Sequence, residues 1–179
     1  MVPVLETERL KLRGHRLDDF PACATMWADP AVTRHIGGKP LSTEESWTKF
    51  LRYFGHWTLL GFGYWVVEEK ATGHFAGELG FADYKRNIEP PLNGPEIGWV
   101  LASQFHGKGY ATEAVRAAVA WGDRYFDRYF TSGTSCIIHP ENLGSIRVAQ
   151  KCGYREFHRT TYKEHPALVL VRELPTPTP

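Results

Sequence analysis

The chain has 179 residues, of which 42% are hydrophobic and 23% are charged. This length and balance predict a single globular domain with a hydrophobic core. The 21 basic and 20 acidic residues give a formal charge of +1 at pH 7, which disfavours nonspecific binding to nucleic acid or to an anionic membrane. No apolar run reaches the ~20 residues of a spanning helix and no leader pattern is present, so we expect a cytoplasmic protein.

The cysteines and histidines show no spacing typical of a disulfide framework or a metal site. Cys23, Cys136 and Cys152 lie far apart and form no CxxC motif, so we expect them to be small buried apolar residues. The eight histidines form neither HExxH nor HxH. We therefore predict no metal centre.

The first third of the chain predicts a strand followed by two helices. Alternating leucines favour a half-buried strand over residues 6–14, and apolar residues at helical spacing favour a first helix over 16–30. Ser42 and Glu45 form a capping-box pattern at the start of a second helix. The segment 32–40 between the helices is glycine-rich, and it either borders a binding cleft or is an ordinary connector. The apolar stripe of the second helix would be Trp47, Phe50, Leu51 and Phe54.

The middle of the chain predicts a three-stranded meander and then a long helix. Aromatic and β-branched residues in 62–70, 74–84 and 95–102 favour three successive strands. After Gly107 the helical rhythm is unbroken. The apolar positions of that helix are Ala111, Ala114, Val115, Ala118, Val119, Gly122, Tyr125 and Phe126.

The last third predicts a strand at 135–139, a short helix capped by Asn142 and ended by Gly153, and two final strands. Because one long helix separates the strands at 95–102 and 135–139, they should run parallel through a right-handed crossover. The fold class is thus α/β: one twisted mixed sheet of about six to seven strands flanked by about four helices, in the order β-α-α-β-β-β-α-β-α-β-β. We expect one domain over 1–174 and an extended Pro/Thr tail over 175–179.

A glycine-punctuated segment, 104–114 (QFHGKGYATEA), joins a predicted strand to the long predicted helix. Gly107 and Gly109 would let the backbone approach a ligand without obstruction by a Cβ, and the unpaired N–H groups at the helix start attract anions. Phosphate is the anion that such a turn favours. The spacing fits neither a P-loop nor a dinucleotide fingerprint, and an ordinary tight turn is the alternative.

The pattern Gln-x-x-Gly-x-Gly followed by Ala and a helix resembles the pyrophosphate-binding loop of the GNAT superfamily of N-acetyltransferases. Two more segments follow the same order: EIGWVL (96–101) resembles the acetyl-CoA strand, and HPENLGSIRVAQKCGY (139–154) resembles the Asn-x-x-Ser helix that ends in Gly-aromatic. With ETERLKLRG at 6–14, the chain is most similar to the branch of ribosomal-protein alanine and serine N-terminal acetyltransferases. The resemblance extends from Glu6 to Leu174.

The resemblance implies an acetyl-CoA-dependent transfer of an acetyl group to a primary amine, either a protein N-terminus or a small molecule, by a monomer or homodimer. Backbone N–H groups of 105–110 would bind the CoA pyrophosphate, and the pantetheine arm would lie in a split between the strands 96–101 and 135–139. The implied CoA-binding residues are Trp99, Val100, Leu101, Gln104, Phe105, His106, Gly107, Lys108, Gly109, Tyr110, Ala111, Thr112, Asn142 and Ser145.

Three catalytic roles follow from the same resemblance. A main-chain N–H around Trp99 or Val100 would stabilise charge on the carbonyl oxygen, and Glu96 and Glu78 are the candidate bases. Both carboxylates could equally be structural residues of their strands. An α-amino group with a pKa near ~8 is roughly a tenth neutral at pH 7, so a base helps but is not obligatory.

The leaving thiolate lacks the acid that many members of the superfamily use, because the position of their tyrosine is Ala149 here. Ser145 shares the face of its helix with buried positions, and we expect Ser145 and Asn142 to hydrogen-bond the sulfur instead. Asn142 could also serve only as a helix cap. His106 and His139 are further candidates for acid or base chemistry.

Two other functions stay open at this point. The fold could bind CoA as an inactive sensor or partner module, which the missing tyrosine favours, or the turn could bind another phosphate ligand. Acceptor specificity would lie in the helix pair, in 32–40 and in the loop after residue 83. Its entrance residues would be Tyr84, Lys85, Arg86 and Glu89, unless these are solvated loop residues.

Overall fold

The computed structural model describes residues 1–92, 94–126 and 133–173. Its strands are β1 (Leu5–Glu6), β2 (Leu10–Arg13), β3 (Tyr64–Glu69), β4 (Phe75–Ala82), β5 (Glu96–Leu101), β6 (Thr134–Ile138), β7 (Arg155–Tyr162) and β8 (His165–Arg172). Its α-helices are α1 (Phe20–Trp27), α2 (Pro30–Thr33), α3 (Thr43–Leu60), α4 (Tyr110–Phe126) and α5 (Leu143–Lys151). The predicted tail, 175–179, lies outside the described residues.

The described strands form one mixed sheet in the order β1-β2-β3-β4-β5-β6-β8-β7, which confirms the predicted α/β class with more elements than expected. The predicted first strand is two strands, since the Thr7 N–H donates to the Leu10 carbonyl and the Leu10 N–H donates to the Thr7 hydroxyl, each at 2.9 Å, and the chain turns between them. The extra helix is α2, which follows an Asp29 cap whose side chain accepts from the Ala31 N–H. The glycines predicted to make a connector therefore follow a short helix.

The sheet has two different faces because successive side chains of a strand point to opposite sides. In β4, Leu79 and Phe81 join the core cluster under α4, whereas Glu78 faces Trp27 of α1 and Tyr53 of α3. Glu78 and Ala82 of β4, with Val100 of β5, thus belong to the α1 and α3 side. This alternation decides which side chains reach which cavity.

Helix α4 packs as the sequence predicts. Ala114, Val115 and Ala118 are fully buried against the sheet. A Cβ at Gly122 would lie 2.9 Å from Cζ of Phe81, so the absence of a side chain there allows the aromatic ring to approach the helix.

The predicted apolar stripe of α3 is only partly correct. Ser42 and Glu45 form the expected capping box, but among the stripe residues only Phe50 is in the core, at 1% exposure. Trp47, Leu51 and Phe54 are 38%, 49% and 42% exposed. The buried face is instead Ser46, Phe50 and Tyr53, because Tyr53 reaches a polar partner on the sheet.

Strands β5 and β6 are parallel, as predicted, and separate after a single register pair, Glu96 with Ser135. Beyond it β5 continues along β4 as far as Leu101, while β6 continues along β8. Within the described residues this leaves a gap in the sheet between β5 and β6. Among the helices of the described ranges, none combines the length and apolar character needed to cross a membrane.

Candidate active site

The predicted glycine turn lies between β5 and α4. A 3-10 turn, Ser103–Phe105, follows β5, and α4 begins at Tyr110. Gly107 and Gly109 have φ angles of +76° and +80°, in the left-handed region that favours glycine. A Cβ at Gly107 would meet no atom within 4 Å, so its backbone faces open space. The first N–H groups of α4 are available beside it.

Side chains from β3 and from the bend before β2 hold the turn in place. The Arg9 guanidinium donates to the Lys108 carbonyl at 3.0 Å and to the Glu113 carboxylate at 2.7 Å. The Tyr110 hydroxyl donates to Glu69 at 2.6 Å. These contacts fix the helix start against the sheet, which a preorganised anion site requires.

A cavity of about 630 Å³ extends from the turn along the gap in the sheet; we call it the groove. Of the predicted CoA-binding residues, Gln104 and Lys108 are exposed and lie outside its lining. The predicted residues that line it are Trp99, Val100, Leu101, Phe105, His106, Gly107, Gly109, Tyr110, Ala111, Thr112, Asn142 and Ser145.

Three cationic residues of the groove were missed by the sequence reasoning: Arg34, Arg147 and Lys151. Arg147 and Lys151 are four residues apart on α5, so they share one helix face. That spacing is visible in the sequence, whereas Arg34 follows α2, a helix that was not predicted. The groove therefore joins a main-chain anion site to positive side chains.

A second cavity of about 440 Å³ opens on the α3 side of the sheet; we call it the pocket. Its polar side chains include Lys49 and Arg52 of α3, Tyr84 and Arg86 of the loop after β4, and Glu96 of β5. Of the four residues expected at the acceptor entrance, Tyr84 and Arg86 line this cavity. Lys85 and Glu89 are exposed and lie outside its lining.

The groove and the pocket share a short stretch of wall. Trp99 and Val100 from β5, Asn142 and Ser145 from α5, and His35 line both cavities. A ligand in the groove and a second ligand in the pocket would therefore meet beside these residues.

Ser145 and Asn142 lie at this junction, where Ser145 is half-buried. The Asn142 side chain accepts from the Ser145 N–H at 3.1 Å, which confirms the predicted helix cap. Ala149, the position of the tyrosine in the resembled pattern, is fully buried. The hydroxyl that faces both cavities from α5 is that of Ser145.

Glu96 lines the pocket and is 7% exposed. The Arg86 guanidinium grips both of its oxygens, with Nη2 donating to Oε1 at 2.8 Å and Nε donating to Oε2. Arg86 also lies over the rings of Tyr84 and Tyr162, at 4.7 and 4.9 Å from the centroids. This candidate base therefore forms a bidentate ion pair with Arg86.

The other candidate base, Glu78, is not brought into either cavity. It is 0% exposed, and its carboxylate accepts hydrogen bonds from Cys23, Trp27 and Tyr53 at 3.1, 3.0 and 2.8 Å, with His15 at 3.0 Å. Burial acts to raise the pKa of Glu78, but the hydrogen bonds outweigh it and the pKa lies below its ordinary value. Such a carboxylate fits a structural role.

The buried cysteines limit the chemistry of the site. All three cysteines are buried and free, and burial raises the pKa of each thiol, which disfavours a cysteine nucleophile.

In the described part of the chain, His35, His139 and Glu141 are a group whose ligand atoms all lie within 4.8 Å of one another. The Nδ1 atom of His139 accepts from the Glu141 N–H at 3.2 Å.

Comparison with known proteins decides the family. The profile described as "Acetyltransferase (GNAT) domain" matches residues 9–155. The chain belongs to the GNAT acetyltransferase family. A Bacillus subtilis (strain 168) relative named "Uncharacterized N-acetyltransferase YnaD" is 38% identical over 152 residues, which cover 84% of this chain and 82% of the relative.

Solved GNAT structures have the same fold. An acetyltransferase from Agrobacterium tumefaciens str. C58 is 28% identical with a TM-score of 0.79, covering 95% of this chain and 94% of the other. RimL, a ribosomal L7/L12 alpha-N-protein acetyltransferase solved in complex with coenzyme A, has a TM-score of 0.75 at 17% identity, with 96% and 98% of the two chains covered. The likeness to RimL shows the fold.

Proposed function

We propose that this GNAT protein transfers an acetyl group from acetyl-CoA to a primary amine by direct attack when both substrates are bound. The observation that carries the proposal is the shared wall of the groove and the pocket at Trp99, Val100, Asn142 and Ser145. The groove would hold the acyl carrier and the pocket the acceptor. A reacting pair of atoms could then meet without a covalent enzyme intermediate.

The groove fits the chemistry of CoA. The left-handed Gly107 exposes its backbone to open space, the start of α4 supplies N–H donors, and Arg34, Arg147 and Lys151 supply positive charge. The gap between β5 and β6 leaves room for an extended chain to pair with the strand backbone. The CoA complex of RimL, a protein of the same fold, agrees with this assignment.

In the proposed step the amine nitrogen bonds to the acetyl carbonyl carbon, the carbon–sulfur bond breaks, and CoA leaves as a thiolate. The proton lost by the amine passes to Glu96 or to water, and the thiolate accepts a hydrogen bond from the Ser145 hydroxyl before it takes up a proton from solvent. A backbone N–H of Trp99 or Val100 would stabilise the charge on the carbonyl oxygen. Because a thiol has a pKa near ~8.5, CoA leaves without a strong acid.

The test is a transfer assay on the purified chain. Acetyl-CoA and a panel of primary amines, including peptide N-termini, should give free CoA thiol and an equal amount of acetylated amine, measured by a thiol reagent and mass spectrometry. Tight binding of CoA without acetylation of any amine would favour the inactive CoA-binding module, which Ala149 in place of the tyrosine supports. Failure of CoA to bind would contradict both.

A further inference from the structure

The pocket has a marked excess of positive side chains. Among the described residues that line it, Lys49, Arg52, Arg86 and Lys163 are cationic and only Glu96 is anionic. The whole chain carries a formal charge of only +1, so this excess is local. A cavity with such a lining attracts anions and repels cations.

The negative charge of Glu96 is already engaged. Arg86 holds both carboxylate oxygens, so the pair contributes little net charge to a ligand in the rest of the pocket. Glu78 is near Lys49 but fully buried, and its oxygens accept from Cys23, Trp27 and Tyr53. The charge of Glu78 favours the charged form of Lys49, but among the described residues neither carboxylate forms an ion pair with Lys49 or Arg52.

Lys49 and Arg52 have no ion-pair partner among the described residues. The Lys49 ammonium lies 4.1 Å from the ring centroid of Trp27, and the Arg52 guanidinium lies 5.9 Å from that of Tyr84. Both residues are on α3, three positions apart, and therefore on one helix face. Burial lowers the pKa of Lys49 to about 8; a nearby anion would favour its charged form.

The tyrosines of the pocket add neutral donors. Burial raises the pKa of Tyr64 and of Tyr84, so both hydroxyls stay protonated at neutral pH. The two hydroxyls hydrogen-bond to each other, so one of their two protons is engaged and the other can be donated to a ligand. A hydroxyl beside two cations suits a carboxylate or phosphate oxygen. The pocket therefore presents hydrogen-bond donors and positive charge, while its one carboxylate, Glu96, is already paired with Arg86.

We propose that the acceptor is a small primary amine that also bears an anionic group, a carboxylate or a phosphate, which Lys49 and Arg52 bind. This inference rests on the proposed acetyl transfer, whose bonds and leaving group are unchanged. It predicts discrimination against diamines and other polycationic amines, because a second positive charge would enter the pocket beside unpaired cations. The cavity of about 440 Å³ is of a size that suits a small molecule.

The test uses amines that differ mainly in the distant group: 4-aminobutyrate, 4-aminobutyl phosphate, butylamine and 1,4-diaminobutane, with the pair tyrosine and tyramine as a larger set. We expect at least one anionic member to exceed its uncharged and cationic counterparts by about tenfold or more in kcat/KM, the range of a charge-assisted hydrogen bond. The comparison of carboxylate with phosphate identifies the anion. Equal or better transfer to the uncharged and cationic members of both sets would overturn the inference while leaving acetyl transfer intact.

Binding gives a readout that does not depend on turnover. Calorimetry of the same amines on the protein saturated with CoA should show tighter binding of the anionic amines. If this preference holds but no amine is acetylated, the proposed function fails and the anion site stands. If the anionic amines bind no better than the others, the inference fails whatever the turnover.

Variants assign the effect to the two cations. Lys49→Met keeps an apolar stem beside Trp27 and should erase most of the anionic preference, as a rise in KM for the anionic amine with little change for butylamine. Lys39→Met is the matched control, because Lys39 is 72% exposed and outside both cavities. Arg52→Gln should act in the same direction as Lys49→Met. An unchanged anionic preference in both pocket variants would contradict the assignment.

Discussion

Ser145 is the residue of α5 whose hydroxyl lines both cavities. Ala149 on the same helix is fully buried and has no acidic group that could protonate the leaving thiolate. We expect Ser145→Ala to lower kcat by about tenfold with little change in KM, because a thiolate of pKa near ~8.5 needs only modest help in leaving. Steady-state thiol release with a fixed acceptor measures this effect.

The matched control for that prediction is Ser145→Thr, which keeps the hydroxyl and should keep most of the rate. The backbone N–H of residue 145, which donates to the capping side chain of Asn142, is present in both variants. The helix start should therefore be unchanged. Equal rates for the alanine and threonine variants would show that the hydroxyl has no part in leaving-group departure.

Glu78 is assigned a structural role by its fully buried carboxylate and its donors from α1 and α3. We expect Glu78→Gln to lower the free energy of unfolding by about 3 kcal/mol, because an amide cannot accept from all of these donors and leaves buried groups unsatisfied. Urea unfolding measures the change. Glu6→Gln is the control, since its pair with Lys70 is exposed and screened by solvent, and the free energy of unfolding should hardly change.

The Glu78 carboxylate should also make stability depend on pH. Its pKa in the folded protein lies below the value of 4.5 that applies when it is unperturbed. The stabilisation is therefore complete above pH ~4.5 and is lost as pH falls through the lower folded pKa. The difference in unfolding free energy between the wild type and Glu78→Gln should shrink below pH ~4.5. A difference that stays constant into the acid range would contradict this assignment.

At the residue scale, the sequence predicts contacts that are local and misses those that are not. The Ser42–Glu45 box and the Asn142 cap are correct because each partner lies three residues away. The side-chain environments of Glu78 and Glu96 depend on which helix covers each face of the sheet. Glu78 meets residues 25 to 63 positions away, a distance over which a one-dimensional pattern carries little information.

The turn before α4 is the element on which cofactor binding depends. We expect Gly107→Val to weaken CoA binding by about tenfold or more, since a β-branched residue strains a left-handed φ and places a side chain over the exposed backbone. Gly73→Val is a matched control, because Gly73 lies in the turn between β3 and β4 with a φ of +71°. A Cβ at Gly73 would also meet no atom within 4 Å.

Both glycine variants should lose similar stability, because both strain the same region of φ. Calorimetric titration with CoA then separates backbone strain, which both variants share, from the loss of ligand contact, which only Gly107→Val should show as weaker CoA binding. Equal weakening in Gly107→Val and Gly73→Val, or no weakening in either, would contradict the assignment of the turn.

At the element scale, strong periodicity and end signals predict well. The long helix α4 and the three strands before it were expected where they occur, because Gly, Pro and alternating apolar residues mark their limits. The four-residue α2 and the two-residue β1 were missed because elements this short have no period to detect. The exposed aromatic residues of α3 show that apolar spacing alone does not identify the buried face of a helix.

At the scale of the whole molecule, ligand binding should stabilise the fold. Acetyl-CoA at ~100 times its dissociation constant should add about 2.7 kcal/mol to the free energy of unfolding. The binding should weaken as salt rises, because Arg34, Arg147 and Lys151 of the groove are exposed cations. Thermal unfolding with and without the ligand, at two salt concentrations, measures both effects. A salt-independent shift would argue against a role for these cations.

The fold as a whole was predictable in class and order but not in layout. The separation of β5 from β6, which creates the groove, follows from pairing choices of strands distant in the sequence, with β8 inserted between β6 and β7. The GNAT resemblance supplied this feature where propensity could not. The cationic pocket needed the structure, because its lysines and arginines come from α3, the loop after β4 and the β7–β8 turn.

Amide hydrogen exchange of the free protein and of its CoA complex tests the central claim most directly. If the main chain of the turn grips the diphosphate, CoA should protect the amides of residues 105–112 and of Trp99 to Leu101, with smaller changes elsewhere. Protection confined to other segments, or an unchanged exchange pattern at saturating CoA, would contradict the site described for this protein.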